Sequence, residues 1–84
     1  FSHSDMTHVN LQEANLEGTN LQNATLAGAD LNGARLNASD LRLTNFKGAI
    51  LSSVIGLTQT QLNAACVDNQ TKLPPELTRP APCN

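Results

Sequence analysis

The chain has 84 residues, a formal net charge of −2 and 2% aromatic residues, with neither Trp nor Tyr. A chain of this length is at most one domain, and its core needs help from a disulfide, a metal or a partner. The weak charge implies no particular partner, so few aromatic rings are poor material for stacking on bases or sugars, and no apolar run is long enough to cross a bilayer.

From the start to about residue 53, every fifth residue is large and apolar: Phe1, Met6, Leu11, Leu16, Leu21, Leu26, Leu31, Leu36, Leu41, Phe46 and Leu51. Two residues before each, where the chain allows, sits something small or β-branched, as at Val9, Ala14, Thr19, Ala24, Ala29, Ala34, Ser39, Thr44 and Ala49. A period of five fits neither a helix nor a plain strand, and it would smear an apolar stripe around a helix. Residues two apart on an extended segment do share a face. Each unit is therefore expected to be a very short strand that points two side chains inward, followed by a corner. Gly18, Gly28, Gly33 and Gly48 fall two places after the large residue, where a tight corner needs their backbone freedom. Asp5, Asn10, Asn15, Asn20, Asp30, Asp40 and Asn45 precede it, and side chains this short can bond nearby backbone. Repetition at a fixed period is the mark of a solenoid. No signal-peptide pattern is present, and a start on Phe1 rather than Met reads as a processed product or an excised piece whose register begins upstream.

Units such as Ala14-Asn15-Leu16-Glu17-Gly18 and Ala29-Asp30-Leu31-Asn32-Gly33 closely resemble the pentapeptide-repeat family, over roughly residues 1–54. The resemblance implies an all-β solenoid, a right-handed quadrilateral β-helix of about three coils with four units per turn. Residues twenty apart would then stack at roughly 4.8 Å. Units depart from the pattern at Thr25, Arg35 and Ile50, and Arg35 is expected to face solvent.

After about Val54 the register is expected to stop, leaving 55–84 as a C-terminal cap. Thr58 suits an N-cap with Gln61 three residues on, and Leu57 and Leu62 occupy the staple positions. A helix over about 59–66 would bury Leu62, Ala65 and Cys66. Pro74, Pro75, Pro80 and Pro82 then impose an extended tail with turns, anchored by Leu73 and Leu77. Such a cap would hide Leu41, Phe46 and Leu51 and the unpaired backbone of the last coil.

Cys66 and Cys83 both lie in this tail. Two cysteines without a neighbouring His or further Cys cannot complete a zinc site, and no Cys-x-x-Cys spacing exists. The plainer reading is a Cys66 to Cys83 disulfide, the alternative two reduced, buried thiols. A disulfide favours an oxidising compartment, periplasmic or thylakoid-lumenal, the setting of similar family members with a Cys-bearing helical cap; reduced thiols favour the cytoplasm.

His3 and His8 would need Asp5 or Glu13 to hold a metal and read better as solvated corner residues, so no metal and no cofactor is expected. No Ser/His/Asp arrangement with a recognisable setting appears, which argues against an enzyme. Asn23-Ala24-Thr25, Asn37-Ala38-Ser39 and Asn69-Gln70-Thr71 match glycosylation sequons, as an Asn-rich chain does by composition. The functional expectation is a structural or protein-interaction module, a fragment of a larger repeat protein, with an unidentified protein partner and no nucleic acid. The alternative is a DNA mimic that inhibits an enzyme such as gyrase, as some family members do. Five acidic against three basic residues in the repeats make a thin phosphate-like array for that role. At the other end, an uncapped first coil is expected to support weak pairing of two copies through the N-terminal end.

Overall fold

Each five-residue unit folds as one extended segment and one tight turn in the computed structural model, which describes residues 2–80; Phe1 and residues 81–84 lie outside the described residues. The turn closes when the N–H three places after the large residue donates to that residue's carbonyl, as Val9 does to Met6 (3.2 Å), Ala34 to Leu31 (2.9 Å) and Ala49 to Phe46 (2.9 Å). Its third residue has positive φ in every unit from His3 to Gly48, between 57° at Ala38 and 76° at Gly33. Glycine takes this conformation freely. His3, His8, Glu13, Asn23, Ala38 and Leu43 are held in it by the coils around them. The residue before the large one stiffens the same turn. Side-chain oxygens of Asp5, Asn10, Asn15, Asn20, Asp30, Asp40 and Asn45 accept the N–H two residues on, at 2.9–3.2 Å.

Extended segments pair in parallel through a single residue each, twenty positions apart. Asp5, Thr25, Asn45 and Cys66 form one column, and Asn10, Asp30, Ile50 and Lys72 a second. Asn15, Arg35 and Ile55 form a third, Asn20 and Asp40 a fourth. Four units thus return the chain to the position one coil on, which makes the molecule a β-helical solenoid with no continuous sheet. Asn45 shows the pattern: its N–H donates to Ala24 O (2.9 Å) and its carbonyl accepts from Leu26 N–H (2.7 Å).

The large and small residues fill the axis. Leu21, Leu26, Leu31, Leu36, Phe46 and Leu51 are fully enclosed, with Leu16 and Leu41 nearly so, and Ala24, Ala29, Ala34, Ala49 and Thr44 packed between them. Each enclosed Leu contributes about 1.5–3 kcal/mol by leaving water. Met6, Val9, Leu11 and Ala14 of the first coil are only partly buried, since no coil covers them among the described residues.

The cap differs from the sequence expectation in two ways. The repeats do not simply stop at Val54. Ile55 still bridges Arg35, and after one helical turn and a half the coil geometry resumes, with Cys66 bridging Asn45 and Lys72 bridging Ile50. Ala65-Cys66-Val67 and Thr71-Lys72-Leu73 place Ala65, Val67 and Thr71 in the core, with Leu73 packed against it. Secondly, the helix is α1, Gln59–Ala64, rather than 59–66. Ala65 is already extended, because the last coil captures the next residue: Cys66 N–H donates to Thr44 O (2.8 Å) and its carbonyl accepts from Phe46 N–H (2.7 Å). Thr58 and Gln61 form the capping box that starts α1, and Leu62 is its buried residue. Pro74-Pro75-Glu76-Leu77 then turns, with Leu77 N–H on Pro74 O (3.1 Å), and Leu77 packs on the core.

Candidate functional site: outer faces and cap

The inward residues fill the axis and leave no cleft among the described residues. No group of three or more His, Cys, Asp or Glu is set to hold a metal there either. His3 and His8 sit exposed on neighbouring corners with positive φ. The His8 ring lies over Gly28, in space that a Cβ on Gly28 would enter.

The outer faces are polar ladders. On the Asn20, Asp40 face, the Arg42 guanidinium binds the Asp40 carboxylate (2.7 Å) and Gln22 donates to it (2.6 Å), which holds that carboxyl well below the usual range. Gln12 donates in the same way to Asp30 (2.5 Å) two faces earlier. The Thr7 hydroxyl and amide depress Asp5. Arg35 is exposed, Ile55 is 50% exposed and Leu43 is 58% exposed, so a cation and two large apolar groups interrupt the array.

Two of the three sequons are structural at their hydroxyls. Ser39 Oγ donates to Leu36 O (2.6 Å) and Thr71 Oγ1 to Phe46 O (2.9 Å), and both residues are buried. Asn23, Asn37 and Asn69 themselves are exposed.

The cap closes the last coil with side chains in place of main chain. In the repeats, the carbonyl two places before the large residue receives an N–H from the next coil, as Thr19 O does from Asp40 (2.9 Å). At Ser39 the next strand is replaced by α1, and Gln61 Nε2 donates instead, to Ser39 O (3.0 Å) and Leu36 O (2.8 Å). The Oε1 of the same amide accepts Thr58 N–H (2.8 Å), so one side chain starts the helix and finishes the coil. Gly28 N–H donates to Lys47 O, whereas Gly48 N–H donates to the Asp68 carboxylate (3.0 Å). That carboxylate also accepts the N–H groups of Gln70 (3.0 Å) and Thr71 (3.1 Å). Burial pushes the Asp68 carboxyl up, but the amides of Gly48, Gln70 and Thr71 with the Thr71 hydroxyl outweigh it and hold the group below its ordinary range. Arg79 forks onto the carbonyls of Asp68 and Thr71. Gln59 pairs with the Thr78 main chain in both directions, at 2.9 Å each way. The tail is thereby tied to the loop and helix it crosses.

Of the residues singled out from sequence, the inward series from Met6 to Leu51 lines the axis, while Phe1 lies outside the described residues. Cys66 is buried and not free; Cys83 lies outside the described residues, and with it the pairing of the two. Sequence reasoning missed Gln59, Asp68 and Arg79. Asp68 alone carried a signal, since it follows Ala65-Cys66-Val67, a small–polar–large triplet of the kind the repeats use. No helix among the described residues is long and apolar enough to cross a membrane.

Comparison with curated proteins and with solved structures finds no match. The family described as pentapeptide repeats matches in eight copies, over residues 1–23 and 19–55, which is well over half of the chain. With its twenty-residue pairing and its enclosed Leu and Ala columns, the chain belongs to the pentapeptide-repeat family.

Proposed function

We propose that this chain is a non-enzymatic interaction module that presents flat, rigid outer faces to a protein partner. The observation that carries the reading is the division of labour within each unit. Large side chains fill the axis, and what remains outside is a regular array on a backbone braced by turn and coil bonds. Preorganised surfaces of this kind lose little entropy on binding. We take the solenoid to be a right-handed, quadrilateral β-helix of about three coils, the geometry in which four units per turn close a coil. A photoreactive side chain placed in turn at Asn20, Thr25, Asp30 and Arg35, one per face, tests the reading in an extract of the native cells. Discrete adducts from one or two neighbouring faces are expected. Equal smears from all four faces, or no adduct from any, would contradict it.

A Cys66 to Cys83 disulfide completes this reading of the cap. It is supported by Cys66 being buried and not free, at the point where the chain rejoins the coil. The bond would close a loop worth roughly 3 kcal/mol in the chain-entropy model. Intact mass under denaturing conditions, before and after reduction, decides it: a gain of about two mass units is expected, and an unchanged mass rejects the bond.

A further inference from the structure

One edge of the solenoid breaks the rule that shapes the rest of its outside. In most other units the position before the inward residue carries Asn or Asp, whose side chain braces its own turn, and Thr25 still accepts the N–H of Ala27, at 3.5 Å. Arg35 and Ile55 on one face, and Ile50 on the adjoining one, cannot do this. The chain gives up two such braces, at Arg35 and Ile50 on adjoining faces, and sets the Arg35 guanidinium and Ile55, at 50% exposure, toward solvent beside a half-buried Ile50. Local rules broken together without local compensation mark functional surface.

Charge along this edge is ordered. Glu13 and Glu17 flank Asn15 in the first coil, both exposed. Arg35 stands one coil on from Asn15, and Lys72 one coil beyond Ile50; both are exposed. Asp30, the carboxylate beside Ile50, is already held by Asn32 N–H and the Gln12 amide. Arg42 is paired with Asp40 on another side, and Arg79 is bound to cap carbonyls. None of Glu13, Glu17, Arg35 and Lys72 makes an ion pair with a described residue. The edge is therefore acidic at one end, basic toward the other, and apolar where Ile50 and Ile55 meet its corner.

We propose that two copies of this chain associate side by side and antiparallel through this edge, the glutamates of each facing the Arg35 and Lys72 of the other around the isoleucines. Parallel docking would set like charges together, whereas a two-fold axis makes the charge sequence complementary to itself. The molecule measures 25 × 24 × 21 Å, so one side offers roughly 500 Å² per copy, at the low end of specific interfaces. The dimer is accordingly weak and weakens further with salt. This goes beyond the interaction-module reading and stands apart from it, since that reading is tested by adducts with other proteins.

Sedimentation velocity over a wide concentration range at low salt tests the proposal. Arg35→Glu with Lys72→Glu, and Glu13→Lys with Glu17→Lys, should each weaken self-association by at least about tenfold. An equal mixture of the two variants should recover a dimer at least as tight as the original, which also shows that both are folded. Arg42→Glu, remote from the edge, should change nothing. A chain monomeric across the whole range would overturn the proposal. So would a dimer unmoved by both double variants, as a contact through the first coil's end around Met6 and Leu11 would be, and so would a mixture no tighter than its components.

Discussion

The repeats and the cap meet the same requirement with different materials. A coil edge offers N–H and carbonyl groups that must find partners. Between coils the partner is main chain, so the residue at the bridge can be Asn, Asp, Thr, Arg or Ile, as the four columns show. At the end of the stack the partner is often a side chain: Gln61 for Ser39 O and Leu36 O, the Asp68 carboxylate for Gly48 N–H. Residue identity should therefore matter little on the outside of the coils and a great deal in the cap. The inside follows another rule again, because enclosed volume is specified whatever the partner.

The largest expected effect lies on the axis. Leu31→Ala empties a central, fully enclosed site that cannot collapse, and should cost about 2–5 kcal/mol in a chemical denaturation curve. A loss below about 1 kcal/mol would mean that the coils relax far more than a close-packed interior does. Next comes Gln61→Ala, which leaves Ser39 O without its side-chain donor and removes the capping box; about 1–3 kcal/mol is expected, and Gln61→Glu should recover only the capping-box share because a carboxylate has no N–H to give Ser39 O.

Asp68 sharpens the comparison through pH. Its folded pKa is depressed, so its contribution is fully present above the ordinary aspartate range and is lost as pH falls through the lower, folded value. Asp5 and Asp40 are depressed as well, so the unmodified chain as a whole should lose stability on acidification. The difference between the unmodified chain and Asp68→Asn isolates Asp68. Melting temperatures of the two should converge as the solution is acidified below the ordinary aspartate range. A gap that stays constant with pH would assign the role of Asp68 to shape rather than charge.

Smaller effects belong to the turns and faces. Ala38 holds φ at 57°, and Ala38→Gly should stabilise by about 0.5–1 kcal/mol by removing a strained Cβ. Asn32→Ala, on the outside of the same coils, should stay within about 0.5 kcal/mol. A larger loss at Asn32 would show that its bonds from Ser52 and Ser53 (3.3 and 2.8 Å) brace the corner more than an outer side chain should.

The coil interior was legible because a period of five admits few foldings, and its inward residues sit two apart where an extended segment needs them. The turns were legible from glycine at the third place, although His8, Glu13 and Leu43 adopt the same conformation without any glycine to announce it. The cap was legible only where it used a local motif. Thr58 and Gln61 mark the start of α1, but its end has only the Ala65-Cys66-Val67 triplet as a local trace and is set by the distant edge at Thr44 and Phe46. The return to coil geometry was hidden because Val67 and Leu73 are six apart and stand out of phase with the repeats. Gln61 as a substitute strand, and Arg79 as a tie to Asp68 and Thr71, depend on contacts across the fold that no local pattern encodes.

Native-state hydrogen exchange on the unmodified chain and on Gln61→Ala tests most directly whether the cap is held by side chains that replace the ladder. The amides of Leu43, Phe46, Leu51 and Cys66, which bond across the boundary between coil and cap, should exchange markedly faster in the variant, while those of Leu26, Leu31 and Asp30 keep their protection. Uniform loss of protection in both groups, or none in either, would contradict the account.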